Sequence, residues 1–153
     1  MTIDDLKKVL EGSDLGAALP DLNNIVDGLA PIMKTALMAG PIILLALGLM
    51  YLFVAPKEAN YTFGYRCYFG MGSEQAWRFT QRIAGITWTV LGAIMTVAML
   101  IVTGRFPGQD VLEMLTTAGT CVVVEALVLL VATLVIRITV AAVFDRHGER
   151  RRK

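Results

Sequence analysis

The sequence predicts an all-α membrane protein with three transmembrane helices. Hydrophobic residues make up 56% of the 153 residues, and the mean hydropathy of +0.62 is above that of an ordinary soluble domain. Three apolar stretches are long enough to cross a bilayer, whose hydrocarbon core needs about 20 residues of helix. Two of them have no polar face, which argues against a bundle of soluble amphipathic helices.

The predicted spans occupy residues 35–55, 84–103 and 115–143, within a three-span membrane domain over residues 34–146. The first two spans contain no charged residue, whereas the third contains Glu125 and Arg137. The third span is therefore the one in which the sequence places polar chemistry inside the membrane.

The segments on either side of the membrane domain differ in charge. Residues 1–33 carry six acidic residues against two lysines. Their leucine, isoleucine and valine residues recur at helical spacing between the acidic ones, so we expect an acidic, amphipathic N-terminal tail with one or two short helices. The acidic faces favour packing against protein over contact with anionic lipid. Residues 147–153 form a basic tail.

The distribution of lysine and arginine predicts an orientation. The formal net charge is −4 in residues 1–33, +2 in residues 56–83, −1 in residues 104–113 and +4 in residues 137–153. Basic segments close to spans stay in the cytoplasm. We therefore expect a cytoplasmic connector at residues 56–83 and a cytoplasmic C-terminus, with the N-terminus outside.

The connector of residues 56–83 contains signals for a helix start. Ser73 is expected to be the N-cap, with Glu74 in the first turn of a short interfacial helix that runs on into the second span. Glu74, Arg78 and Arg82 are spaced i, i+4 and i+8 and therefore share a face of this helix. Trp77 suits the interfacial layer, where aromatic rings settle, and Arg78 and Arg82 supply its basic charge.

Two interpretations of the connector follow from its residues. In the first, it is an ordinary basic and aromatic anchor at the inner membrane surface. In the second, it is a folded cap in which glycines and aromatic rings hold Arg66 inward to bind a carboxylate, a phosphate or a lipid headgroup. Gly64, Gly70 and Gly72 give the backbone freedom that such a cap needs. The residues alone leave both interpretations open.

The connector resembles the signature of the SdpI family of small bacterial membrane proteins. That signature has an asparagine, then Gly-Tyr-Arg or Gly-Phe-Arg, a spacer, and a tryptophan where a helix enters the membrane. The matching residues are Asn60, Gly64, Tyr65, Arg66 and Trp77, followed by the alcohol-amide pair Thr80 and Gln81. Cys67 stands where the family usually has threonine, and the acidic N-terminal tail is an addition to the family unit.

The resemblance implies a multi-pass protein of the bacterial plasma membrane that acts by binding. The best-known member of the family is an immunity protein, which protects a bacterium from its own secreted toxin and retains a repressor at the membrane. The resemblance therefore implies ligand or partner binding at Asn60, Gly64, Tyr65, Arg66 and Trp77. The expected partners are membrane lipids, a peptide toxin or a protein.

Glu125 lies within the third span, where an ionised side chain costs at least ~2.5 kcal/mol. We expect it to be neutral, or paired with an arginine or a hydroxyl group of a neighbouring helix. Arg137 follows about 18 Å further along the helix, too far for a direct ion pair, and is expected at the headgroups or at the connector near Glu74. Glu125 is either a structural interhelical hydrogen-bonding group or a ligand or proton site.

No residue pattern typical of an enzyme is evident. The sole histidine, His147, lies in the basic tail, and Cys67 and Cys121 lie in different segments. The sequence has no Ser-His-Asp set, no metal-ligand spacing, no phosphate loop and no nucleotide fingerprint. We therefore expect no catalysis, no metal and no cofactor. The basic tail is expected to determine topology and contact anionic lipid, with no nucleic acid as partner.

Three functional hypotheses follow. The chain is an SdpI-like binding protein, a small transporter or channel component that uses Glu125, or a structural subunit of a larger membrane complex. Small residues suited to close helix contact occur in the first two spans, at Gly40, Gly48, Gly85 and Gly92. Because three helices form a thin bundle, a homo-oligomer is a further expectation.

Overall fold

The described part of the chain consists of three long α-helices, an irregular segment between the first two helices, and shorter segments after the second and third. In the structure the connector is this irregular segment, residues 54–72. A computed structural model describes residues 22–60, 62–107, 109 and 111–151. Helix α1 spans Leu22–Phe53, α2 spans Glu74–Thr103 and α3 spans Val111–Val143. A single 3-10 turn, Phe69–Met71, lies in the connector. All three long helices are long and apolar enough to cross a membrane, which confirms the predicted fold class.

Helix α1 is longer than the predicted first span. It is helical from Leu22, so residues 22–33 of the predicted tail continue directly into the span. Leu29 and Met33 pack against a core cluster at the end of the bundle opposite the connector, where α1 meets the start of α3. This packing explains why the helix extends beyond the apolar stretch. The buried members of this cluster are Leu37, Phe106, Met114 and Ala118. The rest of the predicted tail, residues 1–21, lies outside the described residues.

The start of α2 confirms the predicted cap. Ser73 has an extended backbone, and its side-chain oxygen accepts a hydrogen bond from the backbone N–H of Ala76 at 3.1 Å. Glu74 forms an ion pair with Arg78 at 2.5 Å, one turn along the same face. The predicted interfacial helix and the second span are one continuous helix from Glu74 to Thr103.

Helices α1 and α2 form the most extensive helix contact, and glycines allow it. A Cβ atom at Gly48 would collide with the backbone nitrogen of Thr89, and a Cβ atom at Gly92 would lie 2.5 Å from the backbone nitrogen of Leu45. Each helix therefore presents its glycine to the backbone of the other, as in the small-residue packing of membrane helices. The expectation of close contact at these glycines agrees with the structure.

Helix α3 is the least enclosed of the three. In its most apolar window 11% of the residues are buried, against 22% in each of the other two helices. Its buried side chains near the connector are Ile136 and Val140, which join a core cluster with Tyr65 and Ala84. The remaining surface of α3 is available to lipid or to protein within the membrane.

The end of the chain folds back onto the start of α2. Phe144 and Arg150 form an isolated antiparallel bridge, and the Ser73 hydroxyl donates to the Gly148 carbonyl at 2.7 Å. The Asp145 carboxylate accepts hydrogen bonds from the backbone N–H groups of Glu149 and His147. These hydrogen bonds hold the pKa of Asp145 below its ordinary value, and the bond from Glu149 contributes most. Residues 147–151 of the predicted basic tail therefore belong to a folded turn.

We expect Gly48→Ala to destabilise the protein by about 1–3 kcal/mol, because the new methyl group meets backbone and forces α1 and α2 apart. The thermal unfolding midpoint in detergent measures this effect. Gly119→Ala is the matched control, since no atom lies within 4 Å of a Cβ atom at that exposed position of α3. Equal midpoints for the two variants would contradict the tight α1–α2 contact.

Candidate ligand-binding site

The connector begins with a turn that Asn60 stabilises. Its side-chain oxygen accepts hydrogen bonds from the backbone N–H groups of Thr62 at 3.0 Å and Phe63 at 2.9 Å. This side-chain-to-backbone pattern is the one for which asparagine is favoured in turns. The Asn60 side chain therefore stabilises the connector by bonding backbone groups of the connector itself.

Trp77 anchors the connector to α2. Its side chain is fully buried, and the indole N–H donates to the Pro56 carbonyl at 2.8 Å. Gly64 lies against the indole ring, where a Cβ atom would come within 2.6 Å of Trp77 Cζ2, and its φ of +123° favours glycine. Two residues of the family motif thus fit together, and the tryptophan of the pair is fully enclosed by the protein.

The side-chain amide of Gln81 forms two hydrogen bonds with the backbone of Tyr65. The Tyr65 N–H donates to Gln81 Oε1 at 2.8 Å, and Gln81 Nε2 donates to the Tyr65 carbonyl at 2.7 Å. Both residues are buried, so these two bonds satisfy backbone groups that would otherwise lack partners. The sequence marked Gln81 as part of the motif, but its partner becomes apparent only in the fold.

An aromatic cluster lies beneath the connector. The Tyr65 ring meets the Trp88 ring edge-on, with 5.5 Å between the ring centroids, and the Tyr51 and Trp88 centroids are 5.3 Å apart. Burial raises the pKa of the Tyr65 phenol above its ordinary value, and the Arg137 side chain opposes that rise through its hydrogen bond and its charge. Trp88 was not predicted as part of the site, because a tryptophan in an apolar span is typical of any membrane helix.

Arg66 points away from this core. Its side chain is exposed, whereas its neighbours Tyr65 and Cys67 are buried. The predicted inward arginine is therefore found at the surface. Successive side chains alternate in direction here, and because those of Tyr65 and Cys67 point inward, that of Arg66 points outward. The Cys67 thiol is buried and lies against Gly70.

Arg66 and Arg137 line one cavity of about 630 Å³, which we call the motif groove. Arg66 comes from the connector and Arg137 from the last third of α3, so the groove joins two elements that are distant in sequence. The other side chains that line it are Cys67, Tyr68, Phe69, Met71, Ile138 and Ala141. The groove therefore combines two guanidinium groups with largely apolar walls.

Arg137 reaches the connector, as predicted, but not at Glu74. It lies beside the Tyr65 hydroxyl, while Glu74 is paired with Arg78. Arg82, the third residue of the predicted interfacial face, is exposed and lines a different cavity near the end of α1.

Glu125 lies between α3 and α1. Its Oε2 atom is 2.9 Å from the position of a Cβ atom at Gly40. Its Oε1 atom is buried and has no hydrogen-bond partner among the described residues. Thr116 and Thr120 of α3 donate their hydroxyl hydrogen bonds to carbonyls of their own helix. Neither an arginine nor a hydroxyl group pairs with Glu125 in the described part of the chain.

The structure thus separates the predicted site residues by role. Asn60, Gly64, Tyr65 and Trp77 build the connector, and of the five motif residues only Arg66 projects into a groove. Groups of three or more potential metal ligands are absent from the described residues. The arrangement is suited to holding an anionic group beside apolar surface.

We expect Gln81→Leu to lower stability by about 1–3 kcal/mol, because it leaves the buried N–H and carbonyl of Tyr65 without partners. Gln75→Leu is the matched control on the same helix, since Gln75 is exposed. Thermal unfolding followed by tryptophan fluorescence measures both. A Gln81→Leu midpoint that equals the control would show that the connector does not depend on this pair.

Comparison with known proteins identifies the family. A model of the SdpI/YfhL protein family matches residues 56–141, more than half of the chain's 153 residues. Neither the curated proteins nor the solved structures give a significant match. The matched range begins with the connector and includes Arg66, Arg137 and most of α3, so it contains the whole motif groove. The resemblance seen in the sequence is confirmed, and this multi-pass membrane protein belongs to the SdpI/YfhL protein family.

Proposed function

We propose that this protein acts by binding rather than by catalysis, and that the motif groove holds an acidic group of a peptide or protein ligand. The observation that supports the proposal is the convergence of Arg66 and Arg137 on one open cavity. A fixed connector and a transmembrane helix supply one arginine each.

The chemistry of the groove fits such a ligand. A guanidinium group presents several N–H donors in a planar fork that matches a carboxylate, and two of them can share one anionic group. Tyr68 is 71% exposed and lines the groove with Phe69 and Ile138. An acidic side chain or a terminal carboxylate of a peptide would meet the arginines while its apolar side chains contact these walls.

Family and charge suggest where the ligand is met. Membership of the family supports a bacterial plasma membrane, and the basic connector and C-terminal turn support a cytoplasmic position for this end of the bundle. The ligand is then a peptide toxin within the inner leaflet, in an immunity function, or a cytoplasmic protein retained at the membrane. Both would offer an acidic group to the same two arginines.

Site-specific photocrosslinking tests the proposal. A photoreactive phenylalanine at Tyr68 is expected to capture a peptide or protein in membranes of the source bacterium. In the variant Arg66→Gln/Arg137→Gln we expect at least roughly tenfold less adduct, because charge-assisted hydrogen bonds are lost. Mass spectrometry of the adduct identifies the ligand.

The control is Arg105→Gln/Arg146→Gln, which removes the same charge from exposed positions outside the groove. It should keep the wild-type adduct. An adduct that survives in the groove variant, or one that contains lipid and no peptide, contradicts the proposal. The charge-conserving variant Arg66→Lys/Arg137→Lys should keep only part of the capture, since lysine lacks the planar fork.

A small transporter or channel component is the second candidate, because Glu125 places a carboxyl group inside the membrane domain. Its buried Oε1 atom has no partner in the described part of the chain, and its other oxygen lies against Gly40 of α1. Such groups are costly and mark ion or proton paths in membrane proteins.

Flux measurements separate the two candidates. A transporter that uses Glu125 should show pH-dependent flux in liposomes that Glu125→Gln abolishes. Glu113→Gln is the control, because Glu113 is exposed in the first turn of α3. Wild-type liposomes that show no flux above empty ones would reject this candidate.

A further inference from the structure

A second basic cavity lies at the connector end of the bundle. It has a volume of about 420 Å³ and lies where α1 ends and α2 begins. Its cationic residues are Lys57, Arg78 and Arg82. None of the residues that line it also lines the motif groove. We call it the α1–α2 groove.

The α1–α2 groove carries uncompensated positive charge. Glu74 pairs with Arg78 at 2.5 Å and neutralises that arginine. Lys57 and Arg82 are exposed, and neither forms an ion pair with any carboxylate in the described ranges. The groove therefore presents the charges of Lys57 and Arg82 to a ligand.

Two of the uncharged polar groups of this groove are already committed. Gln81 lines it, but both ends of its side-chain amide bond the backbone of Tyr65. The Pro56 carbonyl accepts the indole N–H of Trp77. The groups left for a ligand are the Tyr51 hydroxyl and the two cations. The two positive charges dominate this set, which favours an anion over a neutral polar molecule.

The wall of the groove adds an apolar requirement. Tyr51, Leu52 and Phe53 form its α1 side. Phe53 is 80% exposed and the adjacent Val54 is 63% exposed. Since α1 is a membrane span, its last turn brings exposed apolar side chains next to cations at the level where the helix leaves the hydrocarbon. A ligand that satisfies both is an amphiphile with an anionic headgroup.

We propose that the α1–α2 groove binds the phosphate of an anionic phospholipid. Lys57 and Arg82 contact the phosphate, and an acyl chain lies along α1 from Phe53 towards the membrane centre. Basic pockets between membrane helices at the cytoplasmic surface are suited to lipid headgroups of this kind. The site is independent of the ligand in the motif groove, because it uses different residues.

Native mass spectrometry of the full chain tests this lipid site. The protein in mild detergent is given equal amounts of phosphatidylglycerol and phosphatidylcholine with the same acyl chains. We expect the wild type to retain phosphatidylglycerol preferentially. Lys57→Gln/Arg82→Gln should reduce that retention at least roughly tenfold, because each basic residue near an anionic headgroup contributes favourably.

The matched control is Arg146→Gln/Arg150→Gln, which removes two exposed charges from the C-terminal turn at the same end of the bundle. It should retain phosphatidylglycerol within about twofold of the wild type, a difference well below one tenfold step of affinity. Thermal midpoints check that both variants are folded. Equal loss in both variants would show a general charge effect and overturn the site.

Excess inorganic phosphate distinguishes a lipid from a free anion. If the apolar wall contributes, phosphate should leave the bound phosphatidylglycerol in place. Complete displacement by phosphate would show that the groove recognises the anion alone and would overturn the assignment to a phospholipid. Equal retention of phosphatidylcholine would overturn it as well, because a zwitterionic lipid does not need the two uncompensated cations.

Discussion

The connector end of this protein depends on how α2 holds the backbone of residues 54–72. This segment has little regular structure, yet Tyr65, Cys67 and Gly70 within it are buried, and buried backbone groups without partners are costly. The buried Trp77 indole bonds Pro56, and the Gln81 amide bonds both backbone groups of Tyr65. Two side chains one turn apart on α2 thus fix the connector near its start and at its middle. The orientation of Arg66 follows, because its two neighbours are held in the core.

The same constraint explains how one short segment contributes to two separate grooves. Pro56 and Lys57, near the start of the connector, lie beside the end of α1, whereas Arg66 to Met71 lie beside α3. Burial of Trp77 and Tyr65 between these two parts keeps the cations apart. The positive charges therefore lie in two separate grooves, which avoids the repulsion that they would exert on one another in a single cluster.

The sequence predicted the elements of this protein better than the contacts between them. Apolar length identified three spans, and the Ser73 cap and the shared helix face of Glu74 and Arg78 were predicted correctly because they are local. The outward direction of Arg66 and the partner of Gln81 could not be predicted, since both depend on residues packed from other segments. The extension of α1 to Leu22 was not predicted, because Gly28 and Pro31 interrupt the helical pattern before the first apolar stretch. The packing partner that stabilises the extension, Phe106, lies far along the chain.

The C-terminal turn has a consequence for the order in which the protein assembles. Gly148 packs against Gly72 and Ser73 so closely that a side chain at either glycine would meet backbone, and the Ser73 hydroxyl bonds its carbonyl. During synthesis, α1 and α2 can pair as soon as both have entered the membrane. The first turn of α2 acquires its last neighbour only after α3 has been made and residues 144–151 have returned to it. The order of synthesis therefore makes the α1–α2 hairpin available first, and the connector end can close only after the C-terminal turn has been made.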